Sequence, residues 1–78
     1  MSPLVLAVLQ AVWRATATRP SPYYVSVDSL GLPQDSDHVD AAILLTVLAG
    51  YLTAGGDPPH SVAITEDGRR LMKERGMA

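Results

Sequence analysis

This sequence predicts a small α+β domain, on three observations. The first is an apolar stretch from Pro3 to Val12, preceded by Ser2, a good helix cap, and opened by a proline that suits a first helical turn. The second is a capped apolar helix after Ser36 that runs into Gly50, followed by two short β-type runs around Gly55-Gly56-Asp57-Pro58-Pro59. The third is a Thr-capped amphipathic helix from Thr65 to about Arg75. The 78 residues, 47% apolar and without Cys, read as one domain over 1–78 whose core holds without disulfides or thiolate metal sites. At this size, dimerisation or docking on a partner is a reasonable source of added stability.

The first helix is expected from Pro3 to about Ala15. Leu6, Leu9 and Trp13 form one stripe at helical spacing, Val5, Val8 and Val12 form another, and only Gln10 and Arg14 are distinctly polar. A helix apolar almost all round is usually buried on more than one side. The expectation divides between a wide core-facing stripe and an interface made by Leu4, Val8, Ala11 and Trp13. The apolar run is too short to span a bilayer. Ala15-Thr16-Ala17 has the form of a cleavage site, but no cation precedes the run and Trp13-Arg14 interrupts it, so the expectation is a cytoplasmic protein with no membrane partner.

Pro20 and Pro22 end helical structure, and Tyr23-Tyr24-Val25 suits a short strand beside the later hairpin. Ser26 caps a short helix, Val27 to Leu30, which Gly31 terminates. Leu32-Pro33-Gln34-Asp35 is the next turn. Asp35 or Ser36 then caps a third helix running to about Ala49 or Gly50, with Asp37 in its first turn. Val39, Ala42, Ile43, Leu45, Val47 and Leu48 are expected in the core, with Ala41 and Leu44 on the flank. Tyr51 is expected to pack under the hairpin, where Val62 and Ile64 alternate. In the last helix Glu66 and Asp67 sit at the positive end, and Leu71 and Met72 face inward. Arg69, Arg70 and Lys73 are expected to face water, with Glu66 and Arg70 as a helical pair.

Three short stretches bear a resemblance. They are Leu30-Gly31-Leu32 followed by Ser36, Val39, Ala42 and Ile43; then Leu48, Gly50, Tyr51 and Leu52; then Ile64-Thr65-Glu66-Asp67-Gly68-Arg69-Arg70-Leu71. In this order they resemble the winged helix-turn-helix superfamily, in the general style of the MarR and PadR families of bacterial regulators. The resemblance covers most of the chain from Ser26 onward. It implies a three-helix core with a β-hairpin wing and a C-terminal helix. In DNA-binding relatives the third helix would enter the major groove, which carries over to Gln34, Asp35, Ser36, Asp37, Asp40, Ala41 and Leu44. Gln34 and Ser36 could bond a base or phosphate, but Asp35, Asp37 and Asp40 depart from the pattern by repelling the backbone, and Ala41 and Leu44 offer only apolar contact. The wing carries Asp57, two prolines and His60 in place of cations.

The net charge of −2 conceals a strong asymmetry. All six cations (Arg14, Arg19, Arg69, Arg70, Lys73, Arg75) lie before Pro20 or after Gly68, while the middle holds Asp28, Asp35, Asp37, Asp40, Asp57, Glu66 and Asp67. A nucleic-acid surface needs cations to neutralise phosphates, so the middle of the chain is poorly suited to one. Asp35, Asp37, His38 and Asp40 read as caps and solvated charges, and no metal or cofactor is expected. There is no G-x-S-x-G, Walker A loop, H-E-x-x-H or Cys nucleophile, so the expectation is a protein that is not an enzyme.

The leading functional expectation is a regulatory module acting through protein contacts, with itself as a homodimer or with a partner. Its interface would use Leu4, Val8, Ala11 and Trp13 on the first helix, and Asp37, Asp40, Ala41 and Leu44 on the third. The alternative is a DNA-binding transcriptional regulator using Gln34, Ser36, Arg69, Arg70 and Lys73.

Overall fold

Ser2 opens the first helix as its chemistry requires: it is extended, and its Oγ accepts the Val5 N–H at 3.2 Å. Helix α1 spans Pro3–Thr16. Strand β1 (Val25–Ser26) leads into a 3₁₀ turn over Val27–Leu30, and helix α2 spans Ser36–Leu48. Strands β2 (Leu52–Gly55) and β3 (Ser61–Ile64) precede helix α3 (Glu66–Glu74). The computed structural model describes residues 2–20, 23–32, 36–56 and 59–76. Over these residues the architecture is a small α+β one of three α-helices and one three-stranded antiparallel sheet in the order β1-β3-β2.

Helix α1 touches α2, α3, β1, β3 and the 3₁₀ turn. That central position explains its composition, since an element with neighbours on several sides must be apolar on several sides. Val8, Leu9 and Val12 are fully buried, with Val5 and Trp13 beside them. Val8 and Trp13 were expected at an interface, and they lie in the domain's own core instead. Leu4 and Leu6 are half-buried against the same cluster, and Ala11 is half-buried too. Thr16, also buried, donates its hydroxyl to the Val12 carbonyl at 2.7 Å, which satisfies its polar atom inside the core.

In the sheet Leu52 pairs with Ile64, Thr53 with Ala63 and Ala54 with Val62, while Val25 of β1 faces Val62 from the other side. Leu52, Val62 and Ile64 are buried in the core. Tyr24, one residue before Val25, is level with Ala63 in this register, as is Thr53 on the opposite strand. The Thr53 hydroxyl donates to the Tyr24 hydroxyl at 3.1 Å, so the pair bridges across Ala63, which is fully buried.

Helix α2 ends in a Schellman closure. The Tyr51 N–H donates to the Thr46 carbonyl, the Gly50 N–H donates to the Val47 carbonyl, and Gly50 takes φ 87°, a conformation open to glycine. Thr65 then ties α3 to this junction. Its hydroxyl donates to the Gly50 carbonyl at 2.7 Å and accepts the Gly68 N–H at 3.0 Å, and its own N–H donates to the Tyr51 carbonyl. Gly68 is buried in α3, so close to this chain that a Cβ there would fall on the Tyr51 carbonyl oxygen and on Ile64. The expected Glu66–Arg70 pair is replaced by Arg70–Asp67 at 2.9 Å, one residue closer along the helix.

Gly68→Ala forces α3 away from a backbone oxygen that cannot yield, and should cost about 2–3 kcal/mol in urea denaturation. Thr65→Ala, which removes the cap, should cost about 1 kcal/mol in the same experiment.

Candidate docking face on α2

Successive α2 residues are rotated by about 100°, so four positions, three or four apart, share the inner side. Val39, Ala42, Ile43 and Thr46 occupy it, all buried. Thr46 is the polar exception, and its hydroxyl donates to the Ala42 carbonyl at 2.7 Å. The opposite side carries Asp37, Ala41, Leu44 and Leu48 in line, with Leu45 on one flank and half-buried Asp40 and Val47 on the other. Leu44 is 55% exposed, Leu45 58% and Leu48 74%. Leu45 and Leu48, expected in the core, thus lie outside it. In a helix apolar on every side, hydrophobicity alone could not select the inner line. Side-chain size does not select it either, since Ala42 lies inside and the equally small Ala41 outside.

These three leucines, on and beside one face, form an exposed apolar patch, and the largest such patch of a monomer is often functional. Of the expected interface residues, Asp37, Asp40, Ala41 and Leu44 come together here. The α1 set does not join them. Beyond Leu48 the face runs to an open cleft of about 330 Å³ lined by Ala49, Tyr51, Asp67, Arg70, Leu71 and Glu74. Tyr51 and Leu71 are half-buried against the core and present their remaining surface to this cleft. Among the described residues, Asp37 and Asp40 are the carboxylates along the face, Asp67 and Glu74 those of the cleft, and Arg70 is the cation in the cleft lining, paired with Asp67.

Arg69 and Arg19 are directed elsewhere. Arg69 was expected in water beside Arg70 and Lys73. Its Nη2 instead donates to the Thr16 and Arg19 carbonyls, each at 3.2 Å, and its guanidinium lies 5.9 Å from the centre of the Trp13 ring. The α1 C-terminus carries carbonyls without helical partners and a partial negative charge, so a cation there is well placed. Arg19 lies over the Tyr23 ring at 5.1 Å. Lys73 is exposed, one helical turn from Arg69. Arg69, Arg70 and Lys73 thus form no single strip alongside α2: Arg69 serves α1 and Arg70 lines the cleft. Of the other positions considered for DNA, Ser36 begins α2, while Gln34 and Asp35 lie outside the described residues, as do Asp57 and Pro58 of the hairpin turn.

No family model, curated protein or solved structure matches this chain. Among the described residues, no group of three His, Asp or Glu is placed to hold a metal ion, and no helix is long and apolar enough to cross a membrane.

Because Leu48 makes so little of the core, Leu48→Ala should change unfolding free energy by no more than about 0.5 kcal/mol. Ile43→Ala, on the inner face of the same helix, should cost about 2–5 kcal/mol. Arg69→Ala should lower stability by about 1–2 kcal/mol through its lost carbonyl bonds and ring contact, while Arg70→Ala, which breaks only a surface pair, should have little effect.

Proposed function

We propose that this chain is a winged-helix regulatory module that works by docking proteins on the outer face of α2, without catalysis. Support for the winged-helix part comes from the order helix, short strand, short turn of helix, helix, hairpin, helix, and from the pairing of the early strand with the hairpin. In groove-reading relatives α2 would be the helix presented to DNA.

The observation that carries the reading is the character of that helix's free side. It offers Leu44, Leu45 and Leu48 to solvent, with Asp37 and Asp40 at its start, and α2 contains no Lys or Arg. Duplex DNA presents a dense row of phosphates, and a protein held there gains affinity chiefly by releasing counterions with its cations. A leucine face bordered by carboxylates gains nothing from phosphates and repels them. Against a protein surface the same leucines are anchors and the carboxylates a polar rim.

Titration of fluorescent duplex DNA at low salt should show no binding tighter than about 100 µM. Sub-micromolar binding that weakens steeply with salt would overturn the docking reading in favour of a DNA-binding regulator.

A further inference from the structure

We propose that the occupant of this face is an amphipathic helix of another protein, about three turns long, with an aliphatic stripe and Lys or Arg at its ends. The inference rests on the docking reading above and adds the chemistry of the partner. The length follows from the face itself, since Asp37 to Ala49 spans about 18 Å of helix. Ala41, Leu44, Leu45 and Leu48 are spaced at i, i+3, i+4 and i+7, the spacing at which one helix grips another.

Charge selects the partner. Asp37 and Asp40 mark one end of the stripe, and Asp67 and Glu74 stand at the cleft at the other end. Of the residues lining the cleft only Arg70 is a cation, and it is paired with Asp67. The cleft walls formed by Ala49, Tyr51 and Leu71 suit the aliphatic stem of a Lys or Arg, whose charged tip would then reach Glu74. A second copy of this chain fits less well. Pairing α2 with itself is isologous, so Asp37 and Asp40 of one copy would approach the cleft end of the other, where Asp67 and Glu74 stand. The apolar patch is also small for such a dimer, because a stable interface buries about 800 Å² on each partner.

The test uses the full chain and two labelled synthetic peptides of about sixteen residues sharing one leucine stripe, one flanked by Lys and the other by Glu. In fluorescence anisotropy the Lys-flanked peptide should bind at least about tenfold more tightly than the Glu-flanked one. Leu48→Glu, with an unchanged urea transition as the folding control, should weaken it by at least about tenfold. The double substitution Asp37→Asn, Asp40→Asn should weaken it several-fold and flatten its salt dependence. Sedimentation should give the monomer mass. Equal binding of both peptides would overturn the charge selection and leave the docking reading standing. Binding of neither peptide would overturn the proposed partner. A dimer mass abolished by Leu48→Glu would assign the face to a second copy instead. Salt-sensitive DNA binding is a separate result, and only that one removes the docking reading itself.

Discussion

The structure depends on one close approach. The first turn of α3 lies directly on the chain where α2 ends and β2 begins, with Gly68 against the Tyr51 carbonyl and Thr65 bonded to both Gly50 and Tyr51. No side chain fits between Gly68 and that carbonyl, so the approach belongs to glycine. The contact holds three elements at one junction. It sets α3 beside the exit of α2 with Asp67, Arg70, Leu71 and Glu74 turned toward Ala49 and Tyr51, and so forms the cleft. It also sends Met72 into the core, where it is fully buried.

Helices α1 and α2 are both apolar nearly all round, yet they meet opposite circumstances. Around α1 the sheet, the 3₁₀ turn, α2 and α3 are arranged on several sides, and its apolar residues from Leu4 to Trp13 are buried or half-buried within the domain. Helix α2 packs against α1 and β2 through Val39, Ala42, Ile43 and Thr46, and its far side meets water. Apolar surface left in water carries a free-energy cost that a binding partner would relieve. Two helices of like composition therefore have different consequences: one organises the core, and the other carries the face proposed for docking.

The cations show the same division between type and placement. The sequence suggested that Arg69, Arg70 and Lys73 face water. In the fold, Arg69 closes the end of α1 over Trp13, Arg19 lies on Tyr23 and Arg70 pairs with Asp67. Such roles depend on which carbonyls and rings a folded chain brings within reach, over separations of fifty residues in the case of Arg69 and Thr16. Local spacing identifies a helical face but cannot see a partner at that distance.

Local signals determined the elements. Ser2 and Thr65 cap the helices they were expected to cap, Gly50 ends α2, and the Gly/Pro-rich stretch after Ala54 separates two paired strands, because capping, positive φ and turn formation act within a few residues. The absence of cations from the middle of the chain was equally plain, and so was the placing of Asp37, Asp40, Ala41 and Leu44 on one helix. Only tertiary packing decided which side of α2 would be inside. It placed Thr46 in the core and Leu45 and Leu48 in water, and it covered Val8 and Trp13. A uniformly apolar helix has no preferred face of its own; the neighbours that contact it choose one.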